Sequence, residues 1–158
     1  MVENIKIVGD ISNVACFNKR NDTPKLEYID LLYASIPRDV ETIGIADCSL
    51  YHEIDSKKLY KTKYLIPKII SEAPAGIKAD DFILSYAKES DALILSNDRF
   101  RQYDIVSEDW LREHQIRFMI IENQFYFEQR FVKLVGEVSN ENSPELNKIL
   151  IEDQSIEG

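Results

Sequence analysis

Residues 79–98 read ADDFILSYAKESDALILSND. Ala79, Phe82, Ile83, Tyr86 and Ala87 recur at the i, i+3, i+4, i+7, i+8 spacing of one helical face, which predicts a helix over residues 79–90. Ala92 to Leu95 then form a short unbroken apolar run, the pattern of a strand buried on both faces. That strand stops at Ser96-Asn97-Asp98-Arg99. A carboxylate flanked by an amide and a guanidinium therefore stands where a buried element surfaces.

The same alternation extends outward in both directions. Ile5-Lys6-Ile7-Val8-Gly9 is a short apolar run ending in Asp10, and Thr42 to Ala46 is a second short strand ending in Asp47. A third strand is expected near Ile69 to Ser71, followed by the loop Ala73-Pro74-Ala75-Gly76. Residues 23–36 read as a helix capped by Thr23, with Pro24 in its first turn and Leu26, Ile29, Tyr33 and Ile36 in one stripe. A helix with a basic face (Lys57, Lys58, Lys61) is expected over 55–66, and a short one over 107–114 capped by Ser107. Arg117 to Ile121 reads as the fifth strand, with Phe125 to Phe127 extending it as a hairpin. Short apolar strands alternating with helices predict an α/β fold whose mostly parallel central sheet is covered on both faces. The domain is expected over residues 1–136. Residues 137–158 read as an acidic C-terminal extension, with a short helix starting at Ser143-Pro144-Glu145.

The 158 residues suffice for one domain with a real core, and 44% hydrophobic with 30% charged residues is a soluble globular profile. No apolar run approaches the roughly 20 residues that span a bilayer. Met1-Val2-Glu3-Asn4 does not open a signal peptide, so a cytoplasmic location is expected. Two cysteines and two histidines are too few for a disulfide framework or a closed Cys/His zinc site, and Cys16 and Cys48 read as buried thiols. A net charge of −9 opposes non-specific binding to a phosphate backbone. A nucleic-acid ligand would therefore need a metal ion or a local basic patch. No Gly-rich phosphate loop is present, which argues against a nucleotide-fuelled enzyme.

Ligands of such folds bind beyond the carboxyl ends of the strands. Asp10, Asp47 and Asp98 end strands there, and Asp80 and Asp81 occupy the first turn of the helix after the third strand. Each has an ordinary reading alone: helix capping for Asp80, Asp81 and Asp98, a turn for Asp47, a loop for Asp10. Gathered at one edge they would repel and raise one another's pKa values, and a cation relieves that. An all-oxygen ligand set suits Mg²⁺ or Mn²⁺, ions that activate water and neutralise charge at phosphorus.

Three motifs occur in a telling order: Gly9-Asp10-Ile11-Ser12-Asn13-Val14-Ala15, Ala79-Asp80-Asp81-Phe82-Ile83-Leu84 and Leu95-Ser96-Asn97-Asp98-Arg99-Phe100-Arg101. With Ala46 to Asp55 and Ala73 to Gly76, they resemble the PIN-like NYN ribonucleases of the Regnase type, in their smaller prokaryotic branch. The likeness runs from about residue 5 to residue 128. It implies a three-layer α/β/α PIN-like fold and Mg²⁺- or Mn²⁺-dependent, endonucleolytic cleavage of single-stranded RNA.

The resemblance places the metal-binding, catalytic carboxylates at Asp10, Asp80, Asp81 and Asp98, and a substrate contact at Asn13. Ser96, Asn97, Arg99 and Arg101 join Asn13 as candidate substrate contacts, and Asp47 is expected behind the metal ligands. Adjacent helical residues point about 100° apart, so Asp80 and Asp81 are expected to divide, one binding directly and the other through water. Regnase proteins carry a further Asp where this chain has Gln102, and their zinc finger has no counterpart among two cysteines. For Lys57, Lys58, Lys61 and Lys63 a solvated helix face weighs as much as RNA contact. RNA is the expected partner. A metal-dependent DNA nuclease and a non-catalytic RNA-binding or assembly module are the alternatives. A homodimer and an antitoxin or regulatory partner are left open.

Overall fold

The computed structural model describes residues 4–18, 23–100 and 104–142, with side chains to residue 136. Its centre is a five-stranded sheet in the order β3-β2-β1-β4-β5, parallel at every described pairing. The strands are β1 (Lys6–Asp10), β2 (Glu41–Ala46), β3 (Ile70–Glu72), β4 (Leu93–Leu95) and β5 (Gln115–Ile116). Successive strand residues point to opposite faces and are covered on both sides. Ile7, Ala46 and Leu95 join a core with helices α1 (Ile11–Ala15) and α2 (Leu26–Ser35). Val8, Ile45 and Ile94 face helix α5 (Ala79–Ser90) through Ile83, Leu84 and Ala87. The result is the expected three-layer α/β/α, PIN-like arrangement. No described helix is long and apolar enough to cross a membrane.

The order of strands fixes where a ligand can sit. From β1 the chain moves outward to β2 and β3, then crosses back through α5 to place β4 on the other flank of β1. The order in which strands are added therefore reverses between β1 and β4, and the crevice of a doubly wound sheet opens at such a switch point. The register pairs Gly9 with Leu95, so Asp10 stands level with Ser96.

Helix α5 has the predicted limits. It ends because Asp91 takes a left-handed conformation (φ 51°) and its N–H returns to the Ala87 carbonyl. Ser107 caps α6 (Glu108–His114) as expected, accepting the Trp110 N–H at 3.0 Å.

Other expectations are corrected. Thr23 does not cap α2: the Leu26 N–H is met at 3.0 Å by Asp55, a carboxylate 29 residues away. Leu26, Tyr28, Ile29 and Leu32 form the buried face of α2, with Tyr33 and Ile36 at its margin. The helix over 55–66 divides into α4 (Lys57–Tyr60) and a π-helical turn (Lys61–Leu65), and α3 (Leu50–Glu53) precedes it. The fifth strand of the sheet is only Gln115–Ile116. Residues Phe118–Ile121 (β6) leave the sheet and pair antiparallel with Gln124–Phe127 (β7). Glu122 and Asn123 both have positive φ (49° and 63°), the two-residue turn that matches strand twist in hairpins.

Helix α7 (Gln129–Asn142) runs continuously past the expected boundary at residue 136. The expected helix from Ser143 lies outside the described residues. Cys16 and Cys48 are both exposed rather than buried.

Candidate active site

Asp10 ends β1 and starts α1, which it caps by accepting the Asn13 N–H at 3.4 Å. Its side chain is turned inward at the switch point, and the residue is only 4% exposed. Ser96, fully enclosed at the end of β4, donates its hydroxyl to Asp10 Oδ2 at 2.8 Å. The same Ser96 oxygen accepts the Asp98 N–H at 3.1 Å. Asp98 then accepts the Phe100 N–H at 3.1 Å, and Phe100 is buried with φ 50°. The loop after β4 is thus wound tightly around its own carboxylate.

Helix α5 brings the third acid. One carboxylate oxygen from each of Asp10, Asp80 and Asp98 lies within 4.8 Å of the others. Asp10 is buried and the other two are half-buried. Burial pushes the Asp10 carboxyl from 3.8 up to about 7; the Ser96 and Asn13 hydrogen bonds oppose this, and the charges of Asp80 and Asp98 add to it. Three acids at such spacing, one already pushed towards neutrality, form an oxygen-only pocket whose repulsion a hard divalent cation would relieve. The donor set fits Mg²⁺ or Mn²⁺.

The remaining expected residues divide. Asp81 is half-buried and outside the group of three. Asp47 is held by neighbours, its N–H on the Ser12 hydroxyl at 2.9 Å and its carboxylate on the Ser49 N–H at 3.2 Å. Asn13 and Arg99 line a cleft of about 500 Å³ with Cys16, Phe17, Asn97 and Asp98. Asn13 accepts the Asn97 N–H at 2.9 Å.

Ser96 has no exposed surface for a substrate, since its hydroxyl serves the two aspartates. Asn97 lines the cleft, but its amide is tied to both backbone groups of Phe118, at 2.9 and 3.0 Å. Arg101 lies outside the described residues. Lys63 is engaged by Asp30 at 2.8 Å, and Lys61 lies over the Tyr51 ring.

Gln115 is a residue that the pattern reading missed. It is buried, and its Nε2 donates to the Ser96 carbonyl at 2.8 Å and the Asp98 carbonyl at 2.6 Å. It therefore holds the Asp98 loop from the neighbouring strand. The available signal was a lone amide beside Ile116, directly after the helix at 107–114.

Comparison with known proteins fits this geometry. The family model for the Zc3h12a-like Ribonuclease NYN domain matches residues 3–136. No curated protein sequence matches the chain. Solved structures share the fold, two of them ribonucleases by their descriptions. One is the crystal structure of nuclear proteinaceous RNase P 2 (PRORP2) from A. thaliana, with TM-score 0.63, 15% identity, and 79% of this chain and 30% of that chain covered. The other is an Arabidopsis thaliana nuclear protein-only RNase P 2 (PRORP2), with TM-score 0.64, 13% identity, and coverage of 80% and 30%. The chain thus spans less than a third of the length of those neighbours.

Proposed function

The chain belongs to the Zc3h12a-like ribonuclease NYN domain family, and from that premise we propose that it is a divalent-metal-dependent ribonuclease that cuts single-stranded RNA internally. The observation that carries this reading is the convergence of Asp10, Asp80 and Asp98 within 4.8 Å at the switch point of the sheet.

In this reading Asp10, Asp80 and Asp98 hold Mg²⁺ or Mn²⁺, and Asp81 acts from the outer side through water. A cation held there would supply charge neutralisation at the phosphodiester and activation of water near neutral pH. The chain supplies the positioning. Ser96 orients the Asp10 carboxylate, while Ser96 and Gln115 hold the Asp98 backbone. Burial keeps Asp10 from swinging into solvent. In the same reading Arg99, exposed on the cleft wall beside Asp98, contacts the phosphate oxygens, and Asn13 lines the same cleft.

The test is direct. Wild-type protein with Mn²⁺ or Mg²⁺ is expected to cut a labelled single-stranded RNA at internal positions, and EDTA or Asp98→Asn to stop it. Undiminished cleavage by Asp98→Asn would sink the assignment. A matched DNA strand in the same assay separates a ribonuclease from a DNA nuclease.

A further inference from the structure

Three clefts meet around Asn97, Arg99 and Arg117. The carboxylate cleft contains Asp98 and Arg99. A second cleft, of about 510 Å³, shares Arg99 with it and continues to Arg112, Arg117 and Arg130, with Glu108 and Glu128 in its wall. A third, of about 530 Å³, shares Asn97 with the first and Arg117 with the second, and is floored by Phe118, Met119, Tyr126 and Phe127.

The second cleft is positive in a chain whose net charge is −9. Four guanidiniums face two carboxylates there. Arg130 donates to the carbonyls of Arg112 and Gln115, contacts that fix its position and leave its charge whole. Arg112 meets Asp109 at 3.4 Å with both side chains exposed, a pairing that screens little. Glu128 accepts the Arg117 N–H at 3.0 Å. Among the described residues neither Arg99 nor Arg117 enters an ion pair. Gathered guanidiniums favour an anion between them, and their planar forks match phosphate oxygens.

The third cleft decides which anion. Met119 and Tyr126 are 57% and 47% exposed, so the hairpin offers an apolar shelf that borders the arginines. Inorganic phosphate or an unbroken run of aspartates and glutamates would engage the arginines and leave the shelf bare. A nucleotide has a phosphate for one surface and a flat base for the other.

We propose that the cleft of Arg99, Arg112, Arg117 and Arg130 binds a non-scissile phosphate of the RNA strand whose cleaved bond lies at the carboxylates, with the adjoining base on the Met119–Tyr126 shelf. The inference rests on the ribonuclease reading for the identity of the strand. It supplies the local basic patch that an acidic chain needs to hold RNA.

Binding in EDTA tests it apart from cleavage. Fluorescence anisotropy of a short single-stranded RNA is read for wild type, Arg112→Ala/Arg117→Ala and Tyr126→Ala over a range of salt. These side chains are exposed, and thermal unfolding checks that each variant folds. The double arginine variant is expected to bind at least about tenfold more weakly and to lose about one unit of the slope of log K against log salt. Tyr126→Ala is expected to bind the RNA about tenfold more weakly, with its slope unchanged and no such loss on an abasic strand.

Wild-type affinity and slope in the arginine variant would overturn the proposal. So would an acidic peptide of equal charge that competes as well as RNA. Mn²⁺-dependent cleavage with arginine-independent binding removes this site alone. Arginine-dependent RNA binding with no cleavage by the wild type removes the nuclease reading and leaves the site standing.

Discussion

The Ser96 hydroxyl donates to the Asp10 carboxylate at 2.8 Å, across 86 residues of sequence. The same oxygen accepts the Asp98 N–H, so one enclosed atom ties the ends of β1 and β4 together at the centre of the site. Ser96→Ala removes that tie and leaves a half-buried N–H unmet. A loss of about 1–3 kcal/mol in urea unfolding is expected. The Asp10 carboxyl pKa should also rise further, because the Ser96 hydrogen bond is the larger of the two that hold it down. Wild-type stability together with a wild-type pH profile for metal binding would contradict this.

The raised Asp10 carboxyl predicts a definite pH dependence for the metal-free protein. Unfolded, the group ionises near 3.8; folded, it ionises near 7. The folded state therefore holds the proton more tightly. Its contribution to stability is complete below about pH 4, is lost as pH rises through about 7, and is flat above that. In EDTA, the unfolding free energy of wild type minus that of Asp10→Asn should fall across this interval by on the order of 4 kcal/mol. Mn²⁺ should bind more tightly as pH rises through the same range, because a ligating carboxylate must give up its proton. A difference that stays flat between about pH 4 and about pH 8 would refute the assignment.

Asp80 and Asp81 are adjacent but differently placed, since only Asp80 joins Asp10 and Asp98. Asp80→Asn is expected to weaken Mn²⁺ binding by tenfold or more, and Asp81→Asn by clearly less. Calorimetric titration of both variants measures the contrast. Equal losses would show that the two share the ion.

Gly44 tests the packing beneath the site. A methyl group there would meet the Tyr33 hydroxyl first, then Ile70 at 2.9 Å and Ile11 at 3.0 Å. Gly44→Ala should therefore cost about 1–3 kcal/mol. The Tyr33 oxygen is buried with no hydrogen-bond partner among the described residues, so Tyr33→Phe should gain about 1 kcal/mol. In the double variant the first collision is gone, and its cost should be smaller than the sum of the single effects. Strict additivity in urea unfolding would count against the contact.

Much of this was legible in the amino-acid order, where local chemistry sets structure. The apolar stripe of Ala79, Ile83 and Ala87 gave α5 its limits, and Ser107 gave α6 its start. Legibility stopped where the partner is distant. The cap of α2 comes from Asp55, and the amide that steadies the Asp98 loop comes from Gln115. Neither can be found by spacing. The fifth strand was misplaced because Phe118 to Ile121 is apolar enough for a sheet but pairs with its own hairpin partner instead.

The sequence by itself determined the alternation of buried strands and helices and the carboxylates at their ends, because burial pattern and turn chemistry act over a few residues. It also determined the family, through three motifs in order. Only the tertiary structure decided that β4 lies beside β1 in matched register, bringing Asp98 and Ser96 to Asp10. Only it chose Asp80 over Asp81 and set Arg99, Arg112 of α6, Arg117 ahead of the hairpin and Arg130 of α7 around one cleft. Those meetings depend on the order in which strands pack and on how each helix is rotated on the sheet. Both are settled by the whole core at once.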